Sequence, residues 1–350
     1  IYRCPQYVPK NPTGTKRILL DLSFFLSSLV IIIKLLFQKK YDYVITVVPS
    51  FQIGLLALLY KWIKGAKVLY HIQDLQIDAA RDLGMIRSPI LLTILFRLEK
   101  FILKQADVVS SISSGMIKKV KSKCTRDVVH FPNWVDTKTF YPLAVKTQLK
   151  IDYGFSPTDT IVLYSGAVGE KQGLDLILKA ARSLKSLQDL KFIICGSGPY
   201  LPKLKAQKEN WSLANVFFLP LQPAKKLNQF LNMADVHLVI QKADASDLVM
   251  PSKLTNILSV GGVAIITAPT NSTLYEEVYA HKMGILVEPE NEKALTNAIF
   301  STSMNDNMEV SMRARAYAEQ FLAIDKVMSR YCTNLQDPQD VELGELQVGT

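Results

Sequence analysis

The sequence predicts an α/β protein in two halves, each organised around a mainly parallel sheet. Short apolar runs of strand type alternate with amphipathic helical patterns along nearly the whole chain, which is typical of α/β units. The alternation pauses at residues 137–157, a stretch whose Pro142 and Pro157 indicate a linker, and then restarts. With 350 residues, 49% of them hydrophobic, the chain can build two cores of ordinary domain size.

In the first half, polar residues follow the predicted strands. His71 and Asp74 lie at the end of a strand at 67–72, and Ser50 follows a strand at 43–48. Ligands of parallel sheets bind beyond the carboxyl ends of the strands, so these side chains form one candidate site. A core histidine and a helix cap are the alternatives for His71 and Asp74. The other elements predicted in this half are helices at 17–37, 51–63, 90–105 and 114–121 and strands at 107–112 and 128–131.

The helix at 17–37 contains the most apolar run of the chain, residues 24–37. The run is shorter than the ~18 residues of a membrane span. Its large apolar side chains recur at helical spacing, which predicts a largely buried helix. A helix that lies in the plane of a membrane surface is the alternative.

The second half carries two glycine-rich loops, each between a strand and a helix. The first runs from Gly166 to Gly173 and contains Lys171, and the second is Gly196-Ser197-Gly198. Glycines let a backbone approach a ligand, and the amides together with a lysine can hold phosphate. The first loop matches neither the Walker motif nor the dinucleotide motif, and an ordinary surface lysine is the alternative for Lys171.

A third candidate lies between residues 236 and 267, where a strand, a polar loop, a helix and a strand follow in order. The helix begins at Pro251-Ser252-Lys253 and ends before Gly261. Ser252 is predicted to cap this helix and aim its free N–H groups into the loop. Lys253 adds positive charge to an end that already favours anions, which predicts a phosphate site. An ordinary capped surface helix is the alternative.

The two glycine-rich loops and the helix start all follow strands of the same half, so they meet at one edge of a parallel sheet. Three candidate phosphate contacts at one edge are far less expected by chance than any one of them. The second half is therefore predicted to bind a nucleotide.

Charge is distributed unevenly along the chain. Residues 1–145 hold 21 of the 41 Lys and Arg but only 9 of the 31 Asp and Glu, a net charge of +12, whereas the remainder carries −2. A basic half suggests an anionic partner such as lipid headgroups, a lipid diphosphate or nucleic acid, and solvated lysine-rich helices are the alternative. The four cysteines are far apart and have no metal-ligand spacing, which favours a reducing compartment.

Several motifs in the right order carry a resemblance to a known family. Those of the second half are Tyr164-Ser165-Gly166, Lys171-Gln172-Gly173-Leu174-Asp175, Gly196-Ser197-Gly198-Pro199 and Pro251-Ser252-Lys253. Those of the first half are His71-Ile72-Gln73-Asp74 and Phe131-Pro132-Asn133-Trp134-Val135-Asp136. Together they resemble the retaining glycosyltransferases of family 4, which have the GT-B fold. The similarity is to the bacterial surface-polysaccharide branch, with its colanic-acid-type and N-acetylfucosaminyl-type transferases.

The resemblance implies two Rossmann-like domains that face a cleft, with the nucleotide-sugar on the C-terminal domain and the acceptor on the N-terminal one. It assigns the donor diphosphate to Lys171 and phosphate contacts at the helix start to Ser252 and Lys253. The donor-binding residues implied in this way are Gly166, Gly169, Lys171, Gly196, Gly198, Ser252, Lys253 and Asn256. The implied domains are 1–145, 146–308, a C-terminal helix at 309–335 and an acidic, disordered tail at 336–350.

The resemblance also implies a mechanism. His71 would lie near the transferred sugar and Asp74 near the acceptor, and with Lys171 they are the implied catalytic residues. No side chain acts as a nucleophile, because the acceptor attacks from the front face and the departing phosphate helps to take its proton. Neither a metal ion nor a cofactor is needed, since lysines and helix dipoles neutralise the leaving diphosphate of a UDP- or GDP-sugar.

Two departures from the family pattern bear on these expectations. The family begins with a strand, a glycine-rich loop and a helix, a unit of about 30 residues, which this sequence lacks, so the N-terminal domain is expected to be incomplete. Asn256 stands where the family has a Glu for the ribose hydroxyls, which weakens that hydrogen bond by roughly 1 kcal/mol. The companion acid is Leu248 by counting, and Asp244 or Asp247 is the candidate to replace it.

The function expected from the sequence is a retaining hexosyltransferase that moves a sugar from a nucleotide-sugar to a lipid-linked or polysaccharide acceptor. It would work in the cytoplasm, with peripheral contact to the inner face of an anionic membrane and without nucleic acid. A sugar-nucleotide epimerase on the same fold is one alternative, although it would require more carboxylates and histidines in the cleft. A truncated, non-catalytic partner that binds nucleotide or membrane is the other.

Overall fold

The chain forms two compact units in the computed structural model, which describes residues 1–9, 14–82, 84, 86, 88–243 and 251–336. Unit 1 comprises residues 1–131 and the end of the last helix from Tyr331, and unit 2 comprises residues 132–330. Each unit has one sheet, and all pairings within the two sheets are parallel. The prediction of two α/β halves with parallel sheets is confirmed, whereas the predicted domain boundaries stay predictions.

The four-stranded sheet of unit 1 has the order β1-β2-β3-β4 in the described part of the chain. Its strands are β1 Tyr43–Val48, β2 Lys67–Ile72, β3 Val108–Ser111 and β4 Val128–His130. The helices of this half are α1 Gly14–Leu36, α2 Ile53–Lys64, α3 Gln76–Asp82, α4 Pro89–Gln105 and α5 Ser114–Lys123. Val48 pairs with Ile72, so the residues that follow β1 and β2 emerge at the same edge.

The six-stranded sheet of unit 2 has the order β10-β9-β8-β5-β6-β7. Its strands are β5 Thr160–Ser165, β6 Leu190–Cys195, β7 Val216–Leu219, β8 Val236–Val239, β9 Ala264–Thr267 and β10 Ile285–Val287. Its helices are α6 Lys146–Asp152, α7 Asp175–Ser183, α8 Leu201–Asn210, α9 Ala224–Met233, α10 Ser252–Ser259, α11 Thr273–His281, α12 Glu292–Met304 and α13 Met308–Tyr317, and α14 Ile324–Gln336 continues into unit 1.

Both faces of the central strand β5 are buried, as expected for a parallel sheet covered by helices. Ile161 and Leu163 point into one apolar cluster and Val162 and Tyr164 into the other, because successive side chains of a strand alternate between the faces. The chain leaves β5 for β6 on one side and returns to β8 on the other. This arrangement makes the carboxyl end of β5 a topological switch point.

The expectation of a largely buried first helix is wrong. No described side chain of α1 is fully buried, and its helical length gives a 19-residue window, Ile18–Leu36, that is long and apolar enough to cross a membrane. One stripe of this helix exposes between 45% and 64% of each side chain and consists of Ile18, Leu22, Leu26, Val30 and Ile33. Helical spacing predicted the helix correctly but could not predict what covers it.

Two other expectations need correction. The predicted linker at 137–157 contains the helix α6, whose Leu149 and Lys150 are buried. The predicted single C-terminal helix is divided into α13, a π-helical turn at Ala318–Leu322 and α14. The division falls where Val135 forms a parallel bridge with Ala323. The Leu322 carbonyl and the Ile324 amide are hydrogen-bonded to Val135 there, so they cannot form the bonds of a continuous helix.

A buried ion-pair cluster joins three helices of unit 1. The Lys123 ammonium on α5 donates hydrogen bonds to Asp78 on α3 and, at 2.7 Å, to Glu99 on α4. Burial raises the pKa of the Glu99 carboxyl, and the Lys123 charge opposes that shift. The Lys123 ammonium is therefore shared by two buried carboxyl groups, and the Arg81 guanidinium lies 3.6 Å from the Asp78 carboxyl as well.

Lys123→Met is expected to lower the free energy of unfolding by about 3–5 kcal/mol at neutral pH, because the buried Glu99 carboxylate loses its ion-pair partner and Asp78 keeps only the Arg81 guanidinium at 3.6 Å. Lys121→Met is the matched control, since Lys121 pairs with Asp127 in an exposed contact of 3.3 Å and should cost less than about 1 kcal/mol. Urea denaturation of both variants measures the difference, and equal losses would contradict the structural role of Lys123.

Candidate functional site

The first candidate site lies at the carboxyl edge of the sheet of unit 2, at its switch point. The loop after β5, residues 166–173, and the chain after β8 contact each other there. The amide of Lys242 donates a hydrogen bond to the carbonyl of Lys171 over 3.3 Å. The two loops that flank the switch point therefore form one continuous surface.

The two glycine-rich loops pack against each other backbone to backbone. The Gly166 amide donates to the Cys195 carbonyl at 3.0 Å, and the Val168 amide donates to the Ser197 carbonyl at 2.9 Å. A Cβ atom on Gly196 would collide with the carbonyl oxygen of Gly166. The glycine at 196 is thus explained by loop packing, which leaves its predicted contact with a ligand as a prediction.

Lys171 lies in a tight turn that presents its side chain to solvent. Residues Glu170–Gln172 form a 3₁₀ turn, closed by the Gln172 side chain, which accepts a hydrogen bond from the Gly169 amide at 3.1 Å. Gly173 ends the turn with a φ of 64°, a left-handed conformation that glycine adopts without strain. Lys171 is exposed and has no side-chain partner within the described ranges, so its ammonium is available to an anion.

The predicted cap of α10 by Ser252 is wrong. Pro251, with an extended ψ of 122°, occupies the N-cap position, and no side chain caps the helix. Ser252 is the first helical residue and is exposed, and its carbonyl accepts a hydrogen bond from Thr255 at 2.9 Å. The Leu254 amide donates to the Pro251 carbonyl at 2.8 Å, so the amides of Ser252 and Lys253 are the ones that remain available to an anion at this uncapped helix end.

Lys253 is the most unusual side chain of the site. Its ammonium nitrogen is buried and makes no hydrogen bond to any described residue. It lies 3.8 Å from the centre of the Tyr164 ring, and a Cβ atom on Gly166 would be 3.2 Å from it. Burial lowers the pKa of this ammonium to about 7, because water no longer stabilises its charge. The glycine at 166 leaves the space that the Lys253 side chain occupies.

Asn256 lies on α10 three residues after Lys253, so both side chains project from the same side of the helix. It is partly exposed, which leaves its amide available to a ligand hydroxyl. The residues expected to assist it, Leu248 and Asp244 or Asp247, lie outside the described residues.

The second candidate site is the carboxyl edge of the sheet of unit 1. His71 ends β2 with 2% of its surface exposed, and both ring nitrogens are paired. Nδ1 lies 3.0 Å from the Ser110 hydroxyl and Nε2 lies 3.3 Å from the Gln73 amide nitrogen. Burial lowers the pKa of the ring to about 4, so it is neutral at physiological pH. This geometry agrees with a core histidine as well as with a neutral hydrogen-bonding group of an active site.

Asp74 is exposed in the turn between β2 and α3, close to the chain that follows β1. Asp21 of α1 connects the chain after β1 with the start of α3. Its carboxylate accepts a hydrogen bond of 3.1 Å from Gln76 and one of 3.5 Å from Ser50. The structure thus brings His71, Asp74 and Ser50 to one edge, as the strand pattern predicts. Asp21 was not singled out from the sequence, because an acid within an apolar helix carries no local signal.

The sequence also missed Tyr164, Ser110 and Tyr331, which surround the predicted residues. Tyr164 belongs to a motif that was recognised, but only the fold shows its ring beneath the ammonium of Lys253. Over the residues that the structure describes, no group of three or more His, Cys, Asp and Glu side chains could hold a metal ion.

Two Rossmann-like α/β units, each with a parallel sheet, are the architecture of the GT-B fold, which many glycosyltransferases have. The family model described as Glycosyl transferases group 1 matches residues 145–320. The chain is 35% identical to WcaI of Escherichia coli K12, named as a colanic acid biosynthesis glycosyl transferase, over 96% of this chain and 84% of that protein. The chain belongs to the group 1 glycosyltransferase family, which confirms the resemblance found in the sequence.

Solved structures agree with this fold. Sucrose-phosphate synthase from Thermosynechococcus elongatus aligns with a TM-score of 0.71 and 16% identity, over 94% of this chain and 80% of that one. HepE of Anabaena, solved in complex with UDP, aligns with a TM-score of 0.73 and 13% identity, over 93% of this chain and 84% of that one. At these identities the likeness establishes the fold alone.

The burial of Lys253 predicts a dependence of stability on pH. Its pKa is about 7 in the folded protein and about 10.5 when exposed, so between these values the unfolded chain binds more protons. The free energy of unfolding should therefore rise with pH across this window. Lys253→Met should be more stable than the natural protein near pH 7, and the difference should shrink at pH 8 and 9. Urea denaturation at the three pH values measures it, and a constant difference would contradict the lowered pKa.

Proposed function

We propose that the protein is a retaining, metal-independent hexosyltransferase that uses a UDP- or GDP-sugar. The observation that supports this most directly is the buried ammonium of Lys253, which has no hydrogen-bond partner in the described part of the chain. Keeping a cation there is unfavourable unless an anion binds beside it. The uncapped start of α10 and the exposed Lys171 belong to the same carboxyl edge. A diphosphate matches this set of groups in charge and in hydrogen bonding.

Each donor-site residue receives a role in this proposal. Lys171 and Lys253 neutralise the diphosphate as it leaves, and the first amides of α10 donate hydrogen bonds to its oxygens. Ser252 offers its amide and its exposed hydroxyl to the same phosphate. Asn256 accepts a hydrogen bond from a ribose hydroxyl. The loops at Gly166–Gly169 and Gly196–Gly198 bound the space for phosphate and base.

In unit 1, His71 and Asp74 are the proposed contacts of the transferred sugar and of the acceptor. A neutral His71 suits a group that positions a sugar hydroxyl, since its lowered pKa makes it a poor proton carrier at neutral pH. No protein nucleophile is required, because the acceptor hydroxyl attacks from the face of the departing phosphate, which takes its proton. The bond from the anomeric carbon to the phosphate oxygen breaks as the bond to the acceptor oxygen forms.

The proposed acceptor is a lipid-linked saccharide or a polysaccharide of the cell surface. The supporting observations are the 35% identity to a protein named for colanic acid biosynthesis and the net charge of +12 on residues 1–145. To reach a lipid-linked acceptor the enzyme must act at a membrane surface, and we propose the cytoplasmic face. A non-catalytic nucleotide-binding protein is the second candidate, favoured by Asn256 at the position of an acid and by the burial of His71.

Lys171→Ala is expected to reduce donor-dependent sugar transfer by at least about 100-fold and to weaken UDP binding by roughly 10- to 100-fold, because a charged hydrogen bond to the diphosphate is lost. The midpoint of thermal unfolding should stay within about 2 °C. Calorimetric titration with UDP and GDP and a transfer assay measure these effects.

Lys185→Ala is the matched control for this experiment, since Lys185 is an exposed lysine in the turn after α7, away from the carboxyl edge. The UDP affinity and the transfer activity of this variant should equal those of the natural protein. Normal transfer by Lys171→Ala would refute the diphosphate assignment. Tight UDP binding without transfer to any sugar acceptor would favour the non-catalytic candidate.

We also propose that α1 lies in the plane of an anionic membrane. Its exposed stripe from Ile18 to Ile33 follows one face, and Lys34, Lys39 and Lys40 lie at or after its end. An apolar stripe on one face with basic residues beside it is typical of helices that lie at a bilayer surface.

Co-sedimentation with vesicles tests this contact. Binding should require anionic lipid, fall as salt rises, and drop at least about tenfold in the variant Leu22→Asp/Leu26→Asp. Tyr279→Asp, at a more exposed apolar position in unit 2, is the control and should bind normally. Vesicle binding that does not depend on lipid charge or salt, or that is unchanged in the double variant, would refute the role of α1.

A further inference from the structure

A chain of hydrogen-bond contacts connects His71 to the last helix of the protein. Its Nδ1 lies 3.0 Å from the hydroxyl of Ser110, a residue of β3 with no exposed surface. The same hydroxyl lies 3.3 Å from the phenol oxygen of Tyr331, which comes 221 residues later in the chain. All three residues belong to unit 1, because the end of α14 from Tyr331 packs with it.

Tyr331 is held rigidly in this position. Its ring stacks on Phe131 with centroids 4.0 Å apart and planes inclined by 16°. Phe131 in turn meets the His71 ring edge-on at 5.0 Å. The ring of Tyr331 is also part of an apolar cluster with Leu69 and Val129. The phenol oxygen therefore cannot move away from Ser110 without disturbing the packing beneath the sheet.

The donors and acceptors around His71 determine which ring nitrogen carries the proton. The Gln73 amide nitrogen can only donate, so Nε2 accepts and the proton lies on Nδ1. Nδ1–H then donates to the Ser110 oxygen. The Ser110–Tyr331 contact permits either hydroxyl to donate, and in the direction that continues the chain the Ser110 hydroxyl donates to the oxygen of Tyr331. If that last acceptor were removed, the Ser110 hydroxyl could turn and donate to Nδ1. The ring proton would then move to Nε2, and the Gln73 amide would rotate to present its oxygen as the acceptor.

We propose that Tyr331 is a positioning residue that acts through Ser110 to keep His71 in the single tautomer with its proton on Nδ1. The consequence is that Nε2 stays a hydrogen-bond acceptor on the side of Gln73, beyond the carboxyl end of β2. The single lone pair of Nε2 accepts from Gln73 in the donor-free protein, so a sugar hydroxyl would bind there by replacing the Gln73 amide, whereas the other tautomer would present a donor. This functional consequence rests on the proposed role of His71, but the tautomer itself does not.

The test is the ring ¹⁵N spectrum of His71 at neutral pH in the donor-free protein, with selectively labelled histidine. The natural protein should give one protonated and one unprotonated nitrogen with widely separated shifts. In Tyr331→Phe, which keeps the ring and removes only the oxygen, the two shifts should move toward each other as the second tautomer becomes populated. Ser110→Ala should also change the tautomer and provides an independent variant if Tyr331→Phe folds poorly.

Tyr317→Phe is the matched control. It removes another buried phenol, which donates to Glu277 at 3.1 Å and contacts the His281 ring at 4.7 Å. The His71 signals should be unchanged in this variant, while those of His281 shift. Unchanged His71 signals in both Tyr331→Phe and Ser110→Ala, or a tautomer mixture already in the natural protein, would overturn the proposal.

Transfer kinetics distinguish this proposal from the proposed function. For Tyr331→Phe, kcat should fall about threefold with little change in the KM of the donor, because only part of the protein keeps the competent tautomer. The absence of transfer in the natural protein would refute the function and leave the ¹⁵N result standing. A normal kcat together with shifted ¹⁵N signals would overturn the catalytic consequence of the tautomer.

Discussion

Parallel pairing in both sheets is the constraint on which the rest of the molecule depends. Parallel neighbours require a crossover after each strand, so the helices must cover the faces and the strands must be apolar on both sides. The same pairing opens the carboxyl ends of all strands at one edge of each sheet. At the switch point in unit 2 the crossovers diverge, and Lys171 and Lys253 lie beside the resulting crevice. In unit 1 the equivalent edge carries His71 and Asp74.

The two candidate sites differ in the charge of the titratable side chain that each one buries. In unit 2 the Lys253 ammonium is buried and has no hydrogen-bond partner in the described part of the chain, and the ring face of Tyr164 offsets only part of the lost hydration. Such a group lowers stability near neutral pH, and under the proposed function an anion bound beside it would recover that loss. In unit 1 His71 is buried in its neutral form. Its hydrogen bonds determine which ring nitrogen donates and which accepts, whereas a charged group would mainly strengthen the binding of an opposite charge.

Much of the fold was predictable because its signals are local. The strands Tyr43–Val48 and Lys67–Ile72 match the predicted ranges, since each is a short apolar run between polar or glycine-rich segments. The errors arose where the deciding factor was not local. Whether Ser252 caps α10 depends on the backbone of Pro251, which takes the cap position. The burial of α1 depends on what packs against it, which helical periodicity does not report.

The sequence by itself determined the alternation of elements, the order of the glycine-rich loops and the membership of a family, because these reside in residue types and spacings. Only the tertiary structure decided which of these residues are buried, paired or free. It put Tyr164 beneath Lys253 and brought Tyr331 to Ser110 across 221 residues of chain. The physical reason is that desolvation and hydrogen-bond direction depend on neighbours in space, and no spacing rule records contacts between residues so far apart in the chain.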